Sequence, residues 1–353
     1  MIKLDKLREG FQGCGIDGIL ITSDYNRRYI SNFTGTAGVV LISEDKALFI
    51  TDFRYVEQAS KQAEGFTIVQ HKGLIHEEIA SQVKQLGIKK LGFEQDYVTY
   101  SSFQTYQKEI QAQLVPVTNL IENLRLIKTE SEIKILKEAA DIADAAFKHI
   151  LDYIKPGLTE LEVSNELEFF MRKCGATSSS FNTIVASGTR SALPHGVASD
   201  KVIEKGDFVT LDYGALYKGY VSDITRTVAV GQPSEKLKEI YNIVLESQLL
   251  SIEKIKPGMT GIEADAIARD YITSHGYGEY FGHSLGHGIG LEVHEGPALS
   301  VRSDIVLKPG MVVTVEPGIY VPGLGGVRIE DDTLITDNSN ETITHSTKDL
   351  IIL

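Results

Sequence analysis

The sequence predicts an α/β chain, α+β in finer terms, of two domains, the second built from two similar halves. Three observations predict it. The length, 353 residues, is that of two domains or one large one. Helix and strand patterns alternate over the first third. Two separate segments of the remainder then recur later in the chain.

The first domain spans residues 1–122. Leu4 to Phe11 reads as a short helix with apolar positions 4, 7 and 11, and Ile16 to Thr22 as a strand leading into a polar, Asn- and Arg-rich loop. Gly38–Ile42 and Ala47–Ile50 form a hairpin turning at Ser43–Lys46. Helices near Tyr55–Ala63 and Leu74–Leu86 precede strands at Phe66–Val69 and Lys90–Phe93, and Tyr100–Ala112 is a further amphipathic helix. Gly13 to Gly18 matches G-x-G-x-x-G literally, but here a helix precedes it and a strand follows. A dinucleotide site needs the reverse order, so the motif reads as a turn. Val115 to Lys128 is the expected linker.

The second domain, residues 123–353, opens with Thr129–Glu132, a capping box for a long helix. Its apolar positions 133, 136, 140, 143, 147, 150 and 154 form one stripe, and Pro156-Gly157 ends it. Ile154–Glu162 recurs as Ile255–Glu263, each a helix stop followed by a new capping box. Gly206–Gly214 recurs as Gly310–Gly318. Two half-domains, each helix, helix and β-hairpin, therefore pack about a pseudo-two-fold axis, a natural place for a site.

Charge narrows the function. The chain carries 35 basic and 48 acidic side chains, net −13, a sign that repels nucleic acid and anionic membrane and excludes both as main partners. Cys14 and Cys174 lie far apart, as expected of free thiols in a reducing compartment. With no apolar signal-peptide core and no run of bilayer length, the expected location is cytoplasmic.

Four acids stand at matching places in the halves: Asp212 and Glu316 at the ends of apolar strands, Asp223 and Glu330 on the returning strands. Unpaired charges in apolar strands are costly. Arg226 and Arg328 could pair two of them, and a pair of divalent cations supplies the positive charge that remains. The glycine-rich stretch Gly282–Gly290, running on to His294-Glu295, adds three histidines. Its glycines suit backbone pressed close to ions and substrate. A site of carboxylates and imidazole suits Mn²⁺ or Mg²⁺ and tolerates Co²⁺ or Zn²⁺. Two such ions ~3.5–4 Å apart can activate a water and clamp a tetrahedral transition state.

These motifs carry a family resemblance: Leu211-Asp212-Tyr213-Gly214, Ser222-Asp223-Ile224-Thr225-Arg226-Thr227, Gly286-His287-Gly288-Ile289-Gly290, Thr314-Val315-Glu316-Pro317-Gly318 and Val327-Arg328-Ile329-Glu330-Asp331. The sequence resembles the pita-bread metallopeptidases, in the aminopeptidase P and prolidase (Xaa-Pro dipeptidase) branch. The resemblance covers nearly the whole chain: a creatinase-like N-terminal α/β domain, then a pita-bread catalytic domain. It implies that Asp212, Asp223, His287, Glu316 and Glu330 bind two divalent metals, most simply Mn²⁺, with Asp223 and Glu330 bridging and Glu316 doubling as general base. It implies that His195 and His294 assist catalysis and bind substrate, that His283 lines the pocket, and that Arg328 lies on the prolyl side. A proline-containing di- or oligopeptide substrate and a homodimer are implied too.

The nearest rival within the fold is a methionine aminopeptidase-like exopeptidase, against which the N-terminal domain and the surroundings of His195 weigh. A non-catalytic pita-bread interaction module is the rival from another class, and the full ligand set argues against it. His294-Glu295 lacks the second histidine of H-E-x-x-H, and no G-x-S-x-G or Walker A motif occurs.

Overall fold

The structure is a computed structural model and describes residues 2–353. It divides into two compact units, Met1–Arg125 and Leu126–Leu353. Among the described residues no helix is long and apolar enough to cross a membrane, and Cys14 and Cys174 are both free.

The first unit is one six-stranded mixed sheet with helices in its connections. Its strands are β1 (Gly18–Ile21), β2 (Val39–Ser43), β3 (Ala47–Thr51), β4 (Thr67–Gln70), β5 (Lys90–Glu94) and β6 (Gln113–Val117), in the order β4-β3-β2-β1-β5-β6. The β2–β3 hairpin forms as expected, pairing Val40 with Phe49 and Leu41 with Leu48. Helix Ile75–Gln85 buries Ile79 and Val83 in a core with Leu20, Leu41 and Ile50. Gly15, at φ 66°, closes the short helix Phe11–Cys14 ahead of β1, so the glycine motif there is a turn.

Two expectations fail in this unit. The Asn- and Arg-rich segment is a helix, Asp24–Ser31, whose first turn is capped by Ser23 Oγ accepting from Asn26 N. Its Arg27 is buried, donating to the carbonyls of Gly38 (2.8 Å) and Gly35 (2.9 Å). The segment read as a linker holds most of β6 and a short helix, Glu122–Arg125. Pro116 hid the strand, since proline sits in a sheet only where its missing N–H does no harm, and β6 is an edge.

In the second unit all three predicted capping boxes form: Thr129 with Glu132 at the long first helix, and Thr159 with Glu162 and Thr260 with Glu263, opening helices Glu160–Lys173 and Gly261–Ser274. Each follows a longer helix, Glu130–Tyr153 or Glu235–Lys254. Leu136, Ala140, Ala143, Phe147 and Ile150 of the predicted stripe are buried. The first half adds β7 (Ser178–Ser179), β8 (Ile184–Ser187), β9 (Phe208–Tyr213), β10 (Ala215–Tyr217), β11 (Tyr220–Val221) and β12 (Ile224–Ala229). The second adds β13 (Gly286–Gly288), β14 (Glu295–Leu299), β15 (Val312–Val315), β16 (Gly318–Val321), β17 (Gly325–Arg328), β18 (Asp331–Ile335) and β19 (Asn340–Thr342). The central sheets run β12-β9-β8 and β14-β13-β15-β18-β19. Each half buries its own apolar cluster, around Val163, Leu167 and Leu211 in the first and Ala264, Ala268 and Val313 in the second. A backbone bridge between Thr225 and Glu330, with Glu330 N donating to Thr225 O at 3.1 Å, joins the halves.

Candidate metal centre

Strand geometry delivers the four acids to one place. Asp212 lies on β9 opposite Thr225 of β12. Asp223 falls in the break between β11 and β12, and Glu330 in the matching break between β17 and β18. Glu316 follows β15, and His287 is the central residue of β13. Asp212, Asp223, His287, Glu316 and Glu330 line one cavity of about 440 Å³, together with His195, His283, His294 and Arg328. All the sequence-nominated residues thus meet in one cavity. Phe181, Ile184, Pro194 and Val197 add an apolar wall that sequence reasoning did not name.

The carboxylates are buried and incompletely bonded. Asp223 is 4% exposed and Glu330 1%. Among the described residues Asp212 Oδ1, Asp223 Oδ1 and Glu330 Oε1 have no hydrogen-bond partner, nor does Oδ1 of the neighbouring Asp332. A buried acceptor left unmade costs roughly 1–3 kcal/mol, more if charged. Their other oxygens are aimed with care. Thr225 Oγ1 donates to Glu330 Oε2 at 2.6 Å, Arg328 Nη2 to Asp212 Oδ2 at 2.5 Å, and Asp223 N to Asp332 Oδ2 at 2.9 Å. Burial, and after it the neighbouring carboxylates, push Asp223 and Glu330 well above the ordinary range. Burial lifts Glu316 to about 8 against the pull of Arg328.

His287 completes the donor set. A carbonyl can only accept, so the 3.1 Å contact from Nδ1 to Gly288 O places the proton on Nδ1. Burial lowers the ring's pKa to about 4, so at neutral pH the imidazole is uncharged and Nε2 carries a lone pair. That lone pair faces Glu316 Oε1 at 3.3 Å and Asp223 Oδ2 at 3.8 Å. Lone pair against ionised carboxylate is repulsive unless a proton or a metal cation lies between them, and the raised Glu316 and Asp223 show the carboxyls drawing protons where no cation is bound. Ligand atoms of Asp223, His287 and Glu330 all lie within 4.8 Å of one another. Orphaned acceptors, mutual repulsion and a correctly presented imidazole nitrogen fit divalent cations.

Other expectations are redrawn. Arg226 pairs with none of the four acids. It donates to Asp331 (2.7 Å) and to the carbonyls of Ser346 and Thr347, securing the C-terminal segment. Gly286 and Gly288 first of all make room for protein backbone, and Gly286 also lines the cavity. A Cβ there would meet Thr314 O at 2.0 Å and Gly296 O at 1.9 Å, so they let neighbouring strand backbones close on β13. His283 has both ring nitrogens engaged: Nδ1 donates to Ser284 O (2.7 Å), and Nε2 accepts from the Tyr320 hydroxyl (2.8 Å), which accepts from Arg328 Nη1. Tyr320 and Asp332 are buried parts of the centre that sequence reasoning missed. Only their nearness to Glu316 and Glu330 in sequence could have flagged them.

Comparison with known proteins identifies the family. A family model described as metallopeptidase family M24 matches residues 134–337. The creatinase/prolidase N-terminal domain matches residues 3–127. The chain belongs to metallopeptidase family M24, with a creatinase-like N-terminal domain ahead of a pita-bread domain. Among solved structures it is similar to the Xaa-Pro dipeptidase from Bacillus anthracis, at 71% identity and TM-score 0.99 over 100% of this chain and 99% of that one. It is similar to the prolidase from Pyrococcus horikoshii, at 45% identity and TM-score 0.95 over 99% of this chain and 100% of that one. An X-Pro aminopeptidase from Thermotoga maritima is 42% identical, with TM-score 0.91 over 98% of this chain and 100% of that one.

Proposed function

We propose that this protein is a metal-dependent exopeptidase that hydrolyses the Xaa-Pro bond of dipeptides and short peptides. In this reading Asp212, Asp223, His287, Glu316 and Glu330 hold two divalent cations, with Mn²⁺ the first choice for an oxygen-rich donor set. The carrying observation is the set of unpartnered oxygens on buried Asp212, Asp223 and Glu330 around the lone pair of His287. The similarity to proteins named Xaa-Pro dipeptidase, prolidase and X-Pro aminopeptidase supports the substrate class. A homodimer in the cytoplasm belongs to the same proposal.

When bound, the cations acidify a water and polarise the scissile carbonyl. The chain does the rest. Glu316, steadied by Thr314 Oγ1 at 3.2 Å, takes the proton of the attacking water and returns it to the departing nitrogen. His195 and His294 line the same cavity, and burial lowers His294 so that it enters the reaction neutral. They orient the substrate and stabilise charge developing on its carbonyl oxygen. Phe181, Pro194 and Val197 offer the prolyl ring an apolar wall. Arg328 and His283, whose polar atoms already have protein partners, bear on the substrate as walls of the cavity.

The test is a peptide panel of Ala-Pro, Ala-Pro-Ala and Met-Ala-Ser, with products read by mass spectrometry on the Mn²⁺-loaded protein. Ala-Pro cleavage is expected. Cleavage of Ala-Pro-Ala alone would make it an aminopeptidase, and cleavage of Met-Ala-Ser alone would overturn the proline reading.

A further inference from the structure

His195 sits on the segment between β8 and β9, within the loop Ser187–Ser199. Its ring is exposed and takes part in no hydrogen bond among the described residues, so its position is inherited from the loop backbone. Besides a backbone bridge from Ile184 to Val197 and a bond from Gly326 N to Ser191 Oγ, one side chain joins both ends of that loop. Glu160, the first residue of helix Glu160–Lys173, is fully buried and receives five donors. At the start of the loop, Ser187 N (2.7 Å) and Ser187 Oγ (2.9 Å) donate to Oε1. At its end, Ser199 N (3.1 Å) and Ser199 Oγ (2.7 Å) donate to Oε2. Arg190, inside the loop, donates to Oε2 with Nη1 and to Val197 O with Nη2 at 3.0 Å, on the far side of His195.

The second half solves the matching problem with different residues. The position equivalent to Glu160 is Gly261, where a Cβ would meet Ala298 O at 2.2 Å, so no side chain fits. One turn on, the fully buried Asp265 accepts from Leu285 N (2.9 Å) and pairs with Arg269, which donates to Phe281 O and His283 O. A buried acid with an arginine thus tethers a histidine-bearing loop to the second helix of each half.

We propose that Glu160 is a positioning residue for the reaction: by joining both ends of the Ser187–Ser199 loop it sets where the His195 ring meets substrate. This rests on the reading of His195 as a substrate contact. A small displacement of a contacting group lowers rate far more than it lowers stability, so the effect is read as catalysis lost at a particular histidine.

The experiment compares Mn²⁺-loaded wild type with Glu160→Gln, Arg190→Gln, His195→Ala and the Glu160→Gln/His195→Ala double variant. Readouts are kcat and KM for Ala-Pro and amide hydrogen exchange over residues 188–199. Glu160→Gln should lower kcat roughly tenfold or more with KM within about twofold, and should speed exchange in 188–199 while leaving 209–229 unchanged. In the His195→Ala background the same change should cost under about twofold, because the two residues act as one unit. An equal loss in both backgrounds, or unchanged exchange in the loop, would overturn the proposal. So would a His195→Ala enzyme of wild-type activity. Arg190→Gln, at a partly exposed residue, carries the same measurements should Glu160→Gln fail to fold. A wild type inert toward every Xaa-Pro peptide would overturn the functional reading instead, and hydrogen exchange alone would then decide whether Glu160 holds the loop.

Discussion

Glu94 of the N-terminal unit and Glu330 of the catalytic unit are both buried glutamates, 6% and 1% exposed, and the chain treats them in opposite ways. Glu94 Oε2 accepts from Thr22 N (2.6 Å), Ser23 N (2.8 Å) and Thr22 Oγ1 (3.2 Å), and Oε1 accepts from Asn26 Nδ2 (2.8 Å). Glu330 has Thr225 on one oxygen and, among the described residues, no hydrogen-bond donor on the other. Burial raises both carboxyls, so the direction of the shift does not separate them. Completion does. A buried carboxylate whose acceptors are filled by its own chain is architecture, and one left incomplete is addressed to something from outside.

The contrast breaks most easily at the metal. Exhaustive chelation should lower Xaa-Pro hydrolysis by roughly a thousandfold or more, with recovery on adding Mn²⁺ or Co²⁺. Full activity after chelation would place Glu330 with Glu94 as architecture. Glu316→Ala should lower kcat by roughly 10²–10⁴-fold with an unchanged circular dichroism spectrum. An active variant would remove Glu316 from proton transfer.

Stability sharpens the comparison from the other side. Glu94→Ala strands the N–H groups of Thr22 and Ser23, and should cost about 1–3 kcal/mol in denaturant melts. Metal binding, titrated calorimetrically, should not change. Glu330→Gln should do the reverse: metal affinity falls, while the metal-free protein melts at or above the wild-type temperature because like-charge repulsion is relieved. A metal-free Glu330→Gln variant destabilised as much as Glu94→Ala would erase the distinction. The smallest effect is in pH. Because burial raises Glu94, the folded chain holds a proton there that the unfolded chain releases. Stability from this group therefore declines as pH climbs from the ordinary glutamate value through the raised folded one. Glu94→Gln should flatten that decline in melts across the interval, and an unchanged slope would deny the group any share in it.

A second pairing, Glu94 with Glu316, shows how far the sequence could be read. Leu91-Gly92-Phe93-Glu94 and Val313-Thr314-Val315-Glu316 are alike on paper, each an apolar strand running into a glutamate. Only the repeat singled out the second, by matching Glu316 to Asp212. Capping boxes and the apolar stripe were legible because they are local. Helix Asp24–Ser31 was not, because beside Tyr29 and Ile30 it buries polar Asn26, Arg27 and Ser31, and Asn26 and Arg27 are answered by carbonyls and side chains outside the helix. Tyr320, Asp332 and Glu160 escaped for the same reason: their partners lie 8 to 109 residues away. The tautomer of His287 and the crowding around Gly286 likewise exist only once strands are paired.

The bridge between Thr225 and Glu330 has one more consequence. Glu330 is tied to the first half three times: its backbone N–H and its side chain to Thr225, and its carbonyl, which accepts from Arg226 Nη1 at 2.5 Å. Alignment of the two halves and possession of a complete ligand set are therefore a single variable. A slip of one strand position along that seam would turn the proposed ligand away from the cavity. Metal content, measured on any variant or fragment pair, then doubles as a gauge of whether the two halves are in register.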